Sequence, residues 1–151
     1  MIPSGIFTKY FEACDEFISN DYIGKNCTSV NETRIDCTNC SENTLDGSVT
    51  FTNMCPYCNG NSYLINSVSQ NFKLRVYNSP KNWIKVGNVE SVPGRIQVIG
   101  LLTDKDKLIQ STYILIYTNI DLYLKYKLAS EVFPHGFENR YFICYLDRCS
   151  I

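Results

Sequence analysis

The stretch Arg95–Thr118, RIQVIGLLTDKDKLIQSTYILIYT, decides the fold. Its two ends, RIQVIGLL and TYILIYT, are apolar runs of strand length rich in Ile, Val and Tyr. Between them lies TDKDKLIQS, where Thr103 could cap a single helical turn. Upstream, Phe72, Leu74 and Val76 alternate with Lys73, Arg75 and Tyr77, which reads as a further strand. Asn78-Ser79-Pro80 breaks that run, and Trp83, Ile84 and Val86 begin another. Downstream, Leu122–Leu128 and Tyr141–Leu146 complete the set. Strands this dense, with no long helices between them, predict a small antiparallel β-barrel or sandwich over residues 72–148. Phe72, Leu74, Val76, Ile96, Val98, Ile114, Ile116 and Ile143 are its expected apolar strand positions.

Further out on the N-terminal side, Phe7, Tyr10, Phe11, Cys14, Phe17 and Ile18 recur at spacings of three and four. They predict an amphipathic helix over residues 5–20, with Ser4 as its cap. Its apolar stripe suits packing over a sheet or docking into a neighbouring subunit. Residues 25–71 are rich in Asn, Ser, Thr and Gly with little apolar periodicity, and read as a long loop inserted between helix and barrel. Asp46-Gly47 reads as a tight turn before a short strand, Ser48–Thr52. The whole chain of 151 residues reads as one domain.

A loop of that length needs an organiser, and the cysteines supply one. Cys37-Thr-Asn-Cys40 is followed, after fourteen residues, by Cys55-Pro-Tyr-Cys58-Asn-Gly60. A CxxC pair curls so that two thiolates share one metal, and two such pairs complete a tetrahedron. A shell of four cysteines has no open position for substrate, so Cys37, Cys40, Cys55 and Cys58 predict a structural Zn2+ site. Free thiols and redox-active pairs are the competing readings, although neither pair sits in a thioredoxin-like βαβ pattern. Asn59-Gly60 fits a turn that aims backbone N–H groups at the sulfurs, whereas Ser41-Glu42 after the first pair does not. Cys14 and Cys144 read as small buried hydrophobes, and Cys27 and Cys149 stay unassigned.

Eight cysteines also admit disulfides. The start MIPSGIFTKYFEACDEF has neither a basic beginning nor an apolar run of signal-peptide length, and no segment approaches a membrane span. A reducing compartment is expected, with no membrane partner. Catalytic signatures are sparse: the single histidine, His135, lies in a turn-like Phe-Pro-His-Gly-Phe, and no phosphate loop, nucleophile elbow or HExxH stretch occurs. Asp104, Asp106 and Asp121 read as turn residues, the first two beside Lys105 and Lys107. The expectation is a protein that is not an enzyme. Lys73, Arg75, Lys81, Lys85, Lys105 and Lys107, interleaved with Tyr77 and Trp83, offer a dilute basic surface. A pI near 5.8 argues against strong nucleic-acid binding. Charge is uneven: residues 1–71 hold three Lys/Arg and eight Asp/Glu, residues 72–151 eleven and seven. Such polarity suits head-to-tail packing of copies, or is a simple surface gradient.

The order of parts in KLRVYNSPKNWIKVG, VPGRIQVIGLLTDKDKLIQSTYILIY and GFENRYFICYLDR, spanning residues 72–148, resembles the neck proteins of tailed bacteriophages. Those are the head-closure (stopper) and head–tail adaptor proteins. The cysteine spacing is similar to CxxC–CPxCxG loops in some phage neck and baseplate proteins. The resemblance implies a compact β-barrel with a helix and long loops, working as a homo-oligomeric ring in the virion neck. It implies portal, adaptor and tail proteins as partners, non-specific contact with packaged DNA, and assembly in the host bacterial cytoplasm. Alternatives are a tail or baseplate structural protein, and a zinc-containing nucleic-acid- or protein-binding adaptor.

Overall fold

A computed structural model describes residues 4–41, 55–85 and 92–150. The elements in chain order are helix α1 (Ser4–Ser19), strand β1 (Lys25–Asp36), a short helix α2 (Thr38–Ser41) and strand β2 (Tyr63–Tyr77). Then come β3 (Arg95–Leu101), α3 (Lys105–Ile109), β4 (Tyr113–Tyr117), β5 (Tyr123–Leu128), β6 (Phe133–His135) and β7 (Tyr141–Arg148). The fold is mainly β. Seven strands form one antiparallel sheet in the order β3-β2-β1-β4-β5-β7-β6, and β3 also pairs with β7. That extra pairing closes six strands into a barrel, with β6 appended to β7. Closure removes the open edges that would otherwise invite pairing with other chains.

The chain divides into two compact units, residues 1–30 with 69–151, and residues 31–68, with β1 and β2 contributing to each. In the first unit, alternate strand residues fill the barrel. Cys27, Phe72, Leu74, Ile96, Val98, Ile114, Ile116, Phe142, Cys144 and Leu146 form one buried cluster with Leu108 of α3 and Tyr126. Gly100 is required there, because a Cβ would stand 2.5 Å from the Phe142 ring. The apolar runs in β3 and β7 are continuous because both their faces are covered. Ile99 and Ile143 point outward and pack with Ile18 of α1. Arg140 holds the helix by two 2.7 Å bonds to Asp15. The turn after α1 needs Gly24, since a Cβ there would lie 2.0 Å from the Ile18 carbonyl oxygen.

Several expectations are corrected here. Residues 25–36 and 63–71, read as loop, are strand. Their Asn, Ser and Thr hide the pattern, yet the paired backbone satisfies itself whatever the side chains are. Trp83–Lys85 is not a strand but an irregular strap over β3 and β7. Gln97, fully buried, substitutes for a strand partner: its Nε2 donates to the Ile84 carbonyl at 2.8 Å and its Oε1 accepts the Ile84 N–H at 2.8 Å. The Tyr145 hydroxyl donates to the same carbonyl at 3.0 Å, and Trp83 donates its indole N–H to the Tyr77 carbonyl. Thr103 does not cap α3; it lies inside a 3₁₀ turn, Leu102–Asp104, that runs into the helix. Ile143 is a buried apolar strand position of β7, as expected, and packs in the outer cluster under α1. Phe133–His135, read as a turn, pairs with β7 as β6. Val86 and the turn and strand expected over residues 46–52 lie outside the described residues.

Candidate metal centre

In the second unit β1 and β2 form a two-stranded ribbon. Thr33 Oγ1 donates to the Asn66 carbonyl, and the Cys37 N–H donates to the Ser62 carbonyl at 2.9 Å. Rising β1 numbers meet falling β2 numbers, so the pairing is antiparallel, and it delivers Cys37 and Cys58 to the same end of the ribbon. Cys37 is the last residue before α2, and one helical turn brings Cys40 back beside it, the Cys40 N–H donating to the Cys37 carbonyl at 3.0 Å. Ser41, the residue after the first pair, is still helical.

The second pair is built as the sequence predicts. Asn59 and Gly60 have φ of 49° and 82°, both left-handed, and the Asn61 N–H closes back on the Cys58 carbonyl at 3.0 Å. Gly tolerates that conformation without strain, and Asn better than most residues. The N–H groups of Cys58 and Tyr57, which lie within the Cys55–Cys58 segment and ahead of that turn, bond to the Cys55 sulfur. Their hydrogen bonds lower the Cys55 thiol pKa to about 6, which favours the thiolate form that a metal needs. Cys40 is shifted the other way, first by its hydrogen bond with Cys58 and then by burial.

The four sulfurs converge. Cys37 and Cys55 Sγ are 3.8 Å apart, Cys40 and Cys58 Sγ 3.5 Å apart, and all four lie within 4.8 Å of one another. A tetrahedral thiolate site with metal–sulfur bonds of about 2.3 Å has sulfur–sulfur edges of about 3.8 Å. The cluster therefore has the size and donor chemistry to hold one metal ion. Cys37, Cys55 and Cys58 are buried and Cys40 is partly so; among the described residues of this unit no other residue is buried. The Arg34 guanidinium lies over the Tyr63 ring at 4.7 Å, joining the two strands of the ribbon.

The remaining sequence candidates do not gather into a site. Asp104 is engaged by Lys107 at 2.6 Å, and Lys73 by Asp21. Arg75 stacks on Phe17 and Tyr77 at 4.2 and 5.1 Å, and Trp83 leans edge-on against Tyr145. Lys73, Arg75, Lys107, Tyr77 and Trp83 are engaged in these contacts, whereas Lys81 and Lys85 are exposed. His135 lines an apolar cavity of about 410 Å³ with Cys14, Tyr10 and Tyr141 between α1 and the outer sheet face. Cys14 and Cys144 are buried, as expected, and so is Cys27, whose thiol is pushed up to about 12 by burial in the barrel core. Among the described residues no helix is long and apolar enough to cross a membrane. Gln97 is a residue that sequence reasoning missed; one amide inside the apolar run RIQVIGLL is its only signal.

No family model, curated protein or solved structure matches this chain.

Proposed function

We propose that the four-cysteine centre binds one structural zinc ion and that the protein is a non-enzymatic assembly component, a ring-forming part of the neck of a tailed bacteriophage. The observation that carries the metal reading is the convergence of Cys37, Cys40, Cys55 and Cys58 to within 4.8 Å in a unit with no other buried residue described. Zinc suits four thiolates at tetrahedral corners, and a completed shell of four cysteines leaves no ligand position for substrate. The ion would hold the ends of β1 and β2 and the two CxxC turns as one body. The neck reading rests on the order of parts in residues 72–148, and a closed barrel with one flanking helix is the architecture that this resemblance implies.

Elemental analysis of freshly purified, reduced protein tests the metal: one zinc per chain is expected, and its absence contradicts the reading. A density map of the native particle tests the location. The chain should trace as repeated copies around the axis between head and tail; its absence from that layer removes the neck assignment.

A further inference from the structure

We propose that the cavity between α1 and the outer sheet face binds a small neutral aromatic compound, about two fused rings in size and carrying one hydroxyl or carbonyl group. The proposal goes beyond the assembly reading and does not rest on it. Every residue that it uses belongs to the unit of residues 1–30 and 69–151, so it stands with or without a metal on the cysteines.

Size limits the ligand first. Packed interiors leave few gaps larger than a water molecule. This cavity measures about 410 Å³, within the range of small-molecule sites. A cavity of about 150 Å³ holds benzene, so two fused rings fit here with room for a substituent. Cys14 and Ile99 are buried and form the floor. Tyr10 and Ala13 are exposed and form the rim, so the cavity has an entrance.

The lining sets the chemistry. Phe17, Tyr77 and Tyr141 supply three aromatic walls, which suit the face or edge of a ligand ring. Among the described residues no Asp, Glu, Lys or Arg lines the cavity, so a charged ligand would lose its hydration and meet no opposite charge. Polar atoms are few. Hydrogen bonds join the Cys14 thiol to the Tyr10 and Tyr141 hydroxyls, so these three groups satisfy one another. Burial, ahead of the bond with Cys14, raises the Tyr141 hydroxyl above its ordinary value of 10.0 and keeps that wall uncharged. His135 is different. Its backbone is held in β6 opposite Tyr141, yet its ring has no hydrogen-bond or ion-pair partner among the described residues. An imidazole can donate or accept a hydrogen bond. It therefore suits the one polar group of a ligand that apolar walls would otherwise leave unpaired.

The test is an amide NMR titration of the full-length protein with 2-naphthol. Signals of Cys14, Ile99, His135 and Tyr141 should shift together and saturate below about 1 mM. The anion 2-naphthoate should bind at least about tenfold more weakly. Ala13→Trp places a bulky ring at an exposed rim position and should weaken 2-naphthol at least about tenfold by filling the cavity. His135→Phe should weaken 2-naphthol about fivefold and leave naphthalene unchanged, because only the hydrogen bond is lost. A merely structural role for His135 would move both compounds alike. Should Ala13→Trp fail to fold, His135→Phe and the 2-naphthoate comparison decide. Shifts that never saturate, shifts that gather away from the cavity, equal binding of 2-naphthoate, or variants that bind like wild type overturn the proposal. So does a native particle with a neighbouring chain's side chain in the cavity of a protein that refuses 2-naphthol. Such a failure leaves the metal and assembly readings standing.

Discussion

The barrel and the cysteine unit solve the same problem by different means. The barrel buries a dozen clustered residues from β1–β5, β7 and α3, almost all of them apolar, and its strands pair in a closed ring. In residues 31–68 the buried residues described are all cysteines. Apolar burial is spread over many side chains, each replaceable at moderate cost. A metal held by the four cysteines would concentrate that unit's stabilisation in four sulfurs and make it depend on one ion. The barrel should therefore respond to core mutations in proportion to volume lost, and the cysteine unit to metal in a single step.

Chelation gives the largest effect. Removing the metal, or replacing Cys55 with Ser, should abolish amide-exchange protection in residues 31–41 and 55–68, a local loss on the order of ten kcal/mol of metal-linked folding energy. Amides of β3 and β7 should stay protected in the same experiment. Loss of protection in both regions together would show that the barrel depends on the metal. The reverse arm is Leu74→Ala. Leu74 is fully buried in the barrel, and truncation should cost about 2–5 kcal/mol in denaturant unfolding while zinc content stays unchanged. Gln97→Leu probes the strap over β3 and β7. It leaves the Ile84 N–H without the amide that accepts it, and should cost about 1–3 kcal/mol and shift Trp83 fluorescence as the strap loosens.

The smallest effect is acid sensitivity of the barrel. Arg95 and Asp147 stand opposite each other across β3 and β7 and share bonds of 2.7 and 2.9 Å. The bond from Arg95 holds the Asp147 carboxyl below its usual value of 3.8. A depressed folded-state pKa adds stability that is present above the unfolded value and lost as pH falls through the folded one. Arg95→Gln should therefore flatten part of the fall in melting temperature below about pH 4. The change should stay under about 1 kcal/mol, because the pair is partly exposed.

The sequence showed the barrel where burial is one-sided or complete. Phe72, Leu74, Ile96, Val98, Ile114 and Ile116 announce themselves by alternation or by runs, and all are buried. It hid β1 and the first half of β2, whose side chains in residues 63–71 are mostly exposed, so that no apolar period marks them. Only the backbone pairing and the barrel's need for two more strands put them in the sheet. Convergence of the four cysteines was legible because CxxC spacing is local chemistry. The helical exit from Cys40 was not, since Ser41-Glu42 carries no turn signal. Trp83 and Ile84 misled because an apolar segment held by a buried Gln97 looks, in one dimension, like a strand.

X-ray absorption at the zinc edge of the reduced, full-length protein tests the central claim most directly. Four sulfur ligands at about 2.3 Å, with one zinc per chain and loss of the signal in the Cys55→Ser variant, are the expected result. A chain without bound metal, or a first shell containing nitrogen or oxygen ligands, would contradict it.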